Sequence, residues 1–389
     1  MTDISTQAMF TFLREILHSS PVSDAVSDSW NAEDLAELYA LAKKHDLAHV
    51  VGYAARLAGM PSEGEWAGRF KREEIAAVYR YESLRFELER LGGALQQAGI
   101  PFIPLKGSVI RGVYPEPWMR TSCDIDVLVH SEDLSRAADC LRDTLQYTGG
   151  DTKGTYDVQL RTPRRLHIEL HYRLAEQGRV VCAEQTLDRV WEHLEPAEDG
   201  VCLRRMTDEM FFFHHIAHMA KHIEGGGCGV RPFLDLWILE HRVPHDRGRR
   251  DALLREGGLL TFADACRRLA ESWFSDEPMD DVSERLQEFV LTGGVYGSQD
   301  NRVAVQQNKS GGKFRYALRR VFLPYDDLKY HYPVLQKHPW LTPVGHLRRW
   351  CKLLLRGGMP RAMRELQRNE RMQTETVDRV AQLLQDVGL

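Results

Sequence analysis

The chain has 389 residues, with 51 lysines and arginines against 56 aspartates and glutamates, a net charge of −5. Hydrophobic residues make up 43% and charged residues 28%, an ordinary globular composition that excludes a disordered chain, a collagen-like repeat and a disulfide mini-protein. At about 150 residues per domain the length suggests two to three domains, and the charge balance excludes a polycation made to coat nucleic acid while leaving room for a local basic face.

The seven cysteines, Cys123, Cys140, Cys182, Cys202, Cys228, Cys266 and Cys351, are scattered and form no C-x-x-C pair. That spacing argues against a disulfide framework and a structural zinc site, and for a reducing, cytoplasmic setting. Met1-Thr2-Asp3-Ile4-Ser5 lacks the basic and apolar regions of a signal peptide. No apolar run reaches the roughly 18 residues that span a bilayer, so no integral membrane association is expected.

Residues 1–98 read as a helical region: Leu35, Leu38, Tyr39 and Leu41, then Val78, Tyr81, Leu84, Leu88 and Leu91, recur at helical spacing, with Gly93 and Gly99 as punctuation. Residues 99–180 read as a compact α/β unit of about four strands. Pro101–Leu105 is a short apolar run that stops at Lys106-Gly107-Ser108, and a brief helix follows. Asp124–Val129 (DIDVLV) reads as a strand, bounded by Ser122 and His130. Ser131-Glu132-Asp133 starts a helix with Leu134, Ala137, Ala138, Leu141 and Leu145 as its buried stripe, closed by Gly149-Gly150. Tyr156–Leu160 and Leu166–Tyr172 are two further strands. A helical domain is expected at 181–300, with helices at 210–223 and 233–241 and an acidic loop at 276–281. Residues 298–313 read as an exposed loop or hinge, leading into a C-terminal helical extension with a basic stretch from 301 to 389.

The chemistry concentrates in the α/β unit. Side chains alternate along a strand, so Asp124 and Asp126 share one face while Ile125 and Val127 face a core. Glu169 repeats the pattern, sharing its side with His167 and His171 while Ile168 and Leu170 face away. If the two strands are neighbours, one face carries three carboxylates. Carboxylates held that close repel unless a cation joins them, and hard oxygen donors suit Mg²⁺ together with substrate phosphates. Lys106-Gly107-Ser108, a strand end turning into a helix, reads as a phosphate cradle of backbone amides and a hydroxyl. Metal-binding carboxylates beside a phosphate cradle are the parts phosphoryl transfer needs.

These residues resemble the signature of the DNA polymerase β-like nucleotidyltransferases. The wider pattern of Leu105-Lys106-Gly107, Tyr114, Arg120, Asp124-Ile125-Asp126-Val127-Leu128-Val129 and Ile168-Glu169-Leu170-His171 is similar to one bacterial branch, the "uncharacterised nucleotidyltransferase" family. The likeness continues through His218, Lys221 and His222 to Arg231 and Asp235, covering about residues 85–245. The resemblance implies an α+β fold, a small mixed sheet between helical flanks. It implies a Mg²⁺-dependent enzyme (Mn²⁺ the substitute) moving a nucleoside monophosphate from an NTP, ATP first among donors, to a hydroxyl-type acceptor with release of pyrophosphate. Asp124 and Asp126 would bind metal, and Glu169 would share a metal and orient or deprotonate the attacking hydroxyl. Gly107 and Ser108 would hold phosphates, and Lys221 would reach the triphosphate. Lys106, Arg120, His171, His218, His222 and Asp235 are further site candidates. The third acid, often Asp in this family, is Glu here.

A phosphohydrolase or kinase using the same carboxylates and a non-catalytic nucleotide-binding scaffold are the competing readings. The acceptor stays open among a small molecule, a peptide, a protein and an RNA end. His214, His218 and His222 recur every four residues, but without an H-E-x-x-H acid or a nearby cysteine they read as packing residues rather than zinc ligands. Gly225-Gly226-Gly227-Cys228-Gly229 lacks a P-loop's Lys-Ser/Thr and reads as a connection. His346–Arg371 carries eight basic residues, Arg356 among them, against Glu365 and Glu370. It reads first as a solvated helix whose apolar stripe covers the domain, with RNA, a lipid surface or an acidic partner as alternatives.

Overall fold

The structure, a computed structural model, describes residues 4–18, 31–60, 63–153, 156–176, 180–355 and 357–389. The chain divides into two compact units, Met1–Lys221 with Gly229–Gln287, and His222–Cys228 with Glu288–Leu389.

The first unit opens with helices α1 (Ile4–His18), α2 (Ala32–Lys44), α3 (Ala48–Leu57) and α4 (Glu65–Gln97); the apolar spacing read from the sequence falls on α2 and α4. Asn31 starts α2 with a capping box: its side chain accepts from the Glu33 and Asp34 amides, and Asp34 accepts from the Asn31 amide in return. Gly93 does not end α4, because the stripe of Leu84, Leu91, Ala94 and Leu95 buried on the sheet carries the helix past it. The turn comes at Gly99, whose φ of 64° suits glycine.

The described residues of this unit form one sheet of five strands: β1 (Phe102–Pro104), β2 (Asp124–Val129), β3 (Thr148–Lys153), β4 (Asp157–Arg161) and β5 (His167–His171). The order is β1-β2-β5-β4-β3. β2 and β5 are parallel and the other neighbours antiparallel, so the sheet is mixed and the fold α+β. Helix α5 (Gly107–Ile110) follows β1, and α6 (Leu134–Leu145) follows β2. One face of the sheet presents Ile125, Val127, Val129, Val158, Leu160, Ile168 and Leu170. These pack with α4 and with the predicted α6 stripe of Leu134, Ala137, Ala138, Leu141 and Leu145. Each such aliphatic side chain removed from water stabilises the fold by about 1.5–3 kcal/mol.

One strand departs from the sequence reading. Gly149 and Gly150 do not close α6, which ends at left-handed Gln146. They lie inside β3, at an irregularity in its pairing with β4. Both have positive φ, and a Cβ on Gly149 would stand 2.8 Å from the Gln159 carbonyl, so the glycines serve a bulge rather than a break.

Beyond the sheet run α7 (Glu184–Asp188), α8 (Asp208–Glu224), α9 (Arg231–Arg242), α10 (Arg247–Glu256), α11 (Leu260–Phe274) and α12 (Asp281–Gly293). In the second unit follow α13 (Gln299–Ser310), α14 (Lys313–Val321), α15 (Tyr325–His331), α16 (Val334–Lys337), α17 (Thr342–Leu355), α18 (Met359–Arg371) and α19 (Thr374–Asp386). The loop expected at 298–313 is instead α13. Ser298 caps it by accepting from the Asn301 amide, Val303, Ala304 and Val305 bury its apolar side, and left-handed Gly311 ends it. The basic stretch is two helices parted at Gly357-Gly358, with Arg356 outside the described residues. Its apolar stripe does not simply cover the domain, since Leu354 and Leu355 are exposed.

Candidate functional site

The face of the sheet opposite α4 and α6 is polar because the alternation of β2, β4 and β5 is in register. Asp124 pairs with His167, Asp126 with Glu169, and Leu128 with His171 across the parallel strands. On the other side of β5, Asp157 stands opposite His171, Gln159 opposite Glu169 and Arg161 opposite His167. Neighbouring strands lie about 4.8 Å apart, so Asp124, Asp126 and Glu169 form one cluster on a rigid support.

Asp126 is the buried centre of this cluster, at 4% exposure. Lys106 Nζ lies 2.9 Å from its Oδ1. His171 Nε2–H donates to the same oxygen at 2.9 Å and stands 3.4 Å from Glu169 Oε2. Burial alone would raise the Asp126 pKa, but Lys106 and His171 outweigh it and hold the carboxyl well below the usual carboxylate range. Asp124 moves the other way: burial, then the charge of Asp126, raises it, with Lys106 only partly opposing. The face therefore holds more negative charge than Lys106 neutralises. Burial works against the ammonium of Lys106, yet Asp126, Glu169 and Asp124 together raise its pKa.

Lys106 reaches this position from an unusual backbone, φ 46° and ψ −121°, which costs of order 1–3 kcal/mol for a residue with a Cβ. The surroundings fix it. The Ser108 amide donates to the Leu105 carbonyl and the Val109 amide to Lys106, both at 3.1 Å, so these two amides close a turn. Arg111 donates from Nε to the Gly107 carbonyl at 2.6 Å and from Nη2 to Ser122 Oγ at 2.8 Å. A Cβ on Gly107 would stand 3.3 Å from Ser122 Cβ and 3.5 Å from Arg120 Nη1, so the loop seats closely on these neighbours. Beneath it, Arg120 donates from Nε to both oxygens of Asp235, at 2.7 and 2.9 Å, and Tyr114 donates to Asp235 at 2.6 Å. Arg120 and Asp235 thus form a buried ion pair, and Arg120 Nη1 donates to the Thr121 carbonyl rather than to the carboxylate cluster. Arg120 and Tyr114 hold the Asp235 pKa down against its burial.

Helix α8 supplies a further side. Burial first, then the charges of Lys106, His215 and His171, push the His214 pKa down to about 3, which places a neutral imidazole beside the cluster. His218 follows one turn later, its ring 6.4 Å from that of His214. Lys221 Nζ bonds Glu176 at 2.7 Å and lies 4.8 Å from the centre of the Tyr156 ring, which itself stacks on His171 at 5.7 Å. Lys221 thereby joins the edge of the site through Tyr156. His222, next in the chain, falls in the second unit. Tyr156, Asp157, Gln159 and His214 are additions to the sequence candidates. Period-two alternation along β4 is the signal that points to Asp157 and Gln159; Tyr156 precedes the strand and no local pattern marks it, and the four-residue spacing of His214 and His218 is visible in the sequence but reads there as packing.

Two donor sets could hold a cation: Asp124, His167 and Glu169, and Asp126, Glu169 and His171, each with ligand atoms within 4.8 Å of one another. Glu169 belongs to both. Three carboxylate donors and an excess of negative charge fit a hard divalent ion such as Mg²⁺. No curated protein and no solved structure matches the chain. A family model does match, over residues 31–275, which include β1 to β5, every carboxylate of the cluster and the Arg120–Asp235 pair. The chain therefore belongs to the family described as "Uncharacterised nucleotidyltransferase".

Proposed function

We propose that the polar sheet face performs Mg²⁺-dependent transfer of a nucleoside monophosphate from an NTP, ATP first among donors, to a hydroxyl-type acceptor. The observation that carries this reading is the register that sets Asp126 opposite Glu169 with Asp124 on the same face. Asp124, Asp126 and Glu169 would hold the divalent ion, which when bound neutralises charge on the transferring phosphate. Glu169 accepts a hydrogen bond from the acceptor hydroxyl and takes its proton. The hydroxyl oxygen then bonds to the α-phosphorus, the α–β bridging bond breaks, and pyrophosphate leaves. Lys106, Gly107 and Ser108 meet the β- and γ-phosphates, and Lys221 reaches them from α8. His171 acts as a positioning residue by orienting Asp126 and Glu169. Arg120, held by Asp235, positions the Gly107 loop. Scattered free cysteines support a cytoplasmic setting.

The test is incubation with Mg²⁺, a bacterial extract as acceptor source, and ATP labelled at the α- or the γ-phosphate. The reading expects α-label on an acceptor, pyrophosphate in equal amount, and loss of both in Asp124→Asn. Transfer of γ-label, or release of inorganic phosphate alone, would replace it with a kinase or a phosphohydrolase.

A further inference from the structure

We infer that the outward face of α17 docks on an anionic phospholipid bilayer. The charge of this chain is unevenly placed. Residues 313–371 hold fourteen lysines and arginines against four acids, a net +10 within a chain of net −5, which leaves the remainder at −15. A single-sign surface of this kind is drawn to a negatively charged layer.

The orientation of α17 is fixed by contacts on its other side. Arg349 donates to the Arg320 and Val321 carbonyls at 2.9 and 3.0 Å, and Trp350 Nε1 donates to Val321 at 3.1 Å. These bonds satisfy carbonyls at the C-terminal end of α14 that have no partner within that helix. A Cβ on Gly345 would stand 3.1 Å from Leu335 and 3.2 Å from Leu328, so this side lies on α15 and α16. At 100° per residue the opposite arc carries Val344, Leu347, Cys351, Leu354 and Leu355. Their exposures settle the matter: Val344 57%, Leu347 59%, Leu354 61% and Leu355 87%. Arg348 and Lys352 border this arc, and Trp340, 74% exposed, stands in the turn that precedes the helix. Helix α14 repeats the pattern, with Phe314 and Leu318 exposed beside Arg315 and Arg319.

A helix that turns three leucines and a valine to water, bordered by cations and preceded by an exposed tryptophan, has the composition of one lying in a membrane interface. An RNA partner would use the cations but not the leucines, which have no π-face on which bases stack. A second copy meeting this one through the same face would press two cationic arcs together. No described helix is long and apolar enough to cross a membrane, so the contact lies in the plane of the surface.

The test is co-sedimentation of the full-length protein with phosphatidylcholine vesicles, with and without phosphatidylglycerol. The parent sediments with the anionic vesicles and not with pure phosphatidylcholine, and added salt weakens the binding. Leu355→Gln lowers partitioning about tenfold, and Leu354→Asp/Leu355→Asp lowers it further. Lys352→Glu lowers it at least about fivefold. Because these side chains are exposed, the far-ultraviolet spectrum and unfolding midpoint stay at parental values, which separates lost docking from lost folding. Equal partitioning of parent and variants, indifference to phosphatidylglycerol, a dimer in sedimentation velocity that Leu355→Gln dissolves, or retention by polyuridine without vesicle binding would each overturn the proposal.

Discussion

Asp124 and Asp126 are two residues apart on one strand, yet their carboxyls are pushed in opposite directions: Asp126 down by Lys106 and His171, Asp124 up by burial and by Asp126. Their substitutions should therefore differ. Asp124→Asn removes repulsion and leaves stability unchanged or improved, while nucleotidyl transfer falls by at least a hundredfold, on the order of what loss of an orienting group or metal ligand costs. Asp126→Asn strands Lys106 and His171 and costs about 3 kcal/mol, read as a shift in the urea midpoint. Equal destabilisation by both would mean the two acids are equivalent structural groups. His214 gives a pH prediction on the same scale. Its folded pKa, about 3, lies below the ordinary imidazole value of 6.5, so the native state resists the proton that the unfolded state accepts. Stability from this residue is complete above pH 6.5 and is lost as pH falls, by up to about 1.4 kcal/mol per unit. Urea unfolding between pH 7 and 4 should show that slope, and His214→Leu should flatten it; an unchanged slope would contradict it.

At the scale of elements, α4 contains a glycine that the fold does not use. Nothing stands within 4 Å of a Cβ built on exposed Gly93, so Gly93→Ala should stabilise by about 0.5–1 kcal/mol. Leu170, fully buried between β2 and β4, offers the contrast: Leu170→Ala should cost about 2–5 kcal/mol. Thermal unfolding of the two variants reads both effects, and the opposite order would refute the packing described for the sheet. The same elements explain what was legible in the sequence. The stripe of α6 and the alternation of β2 and β5 could be read because each element has one face against an apolar core, which forces a period. The three-carboxylate face followed from that alternation once β2 and β5 proved to be neighbours. β3 was hidden because its glycines mark a bulge, and local composition does not distinguish a bulge from a break. α13 was hidden because its Asn and Ser residues and the two glycines after it read as loop, although its glutamines are good helix formers and Val303, Ala304 and Val305 bury its apolar side. The Arg120–Asp235 and Lys106–Asp126 pairs span 115 and 20 residues, and no local pattern gives the partner of a charge that far away.

At the scale of the whole molecule, the charge and the chemistry are separated along the chain. The carboxylate face lies in the first unit and within residues 31–275, whereas the cationic helices lie in residues 313–371 of the second. A net charge of −5 conceals both. The central claim concerns the first of them, that the three carboxylates bind NTP through a divalent ion. Calorimetric titration of ATP, GTP, CTP and UTP into the parent and Asp124→Asn, with and without Mg²⁺, tests it most directly. The account predicts that the parent binds at least one NTP only when Mg²⁺ is present and that Asp124→Asn, folded to the same degree, loses this binding. Binding of equal strength without Mg²⁺, or in the variant, would contradict it.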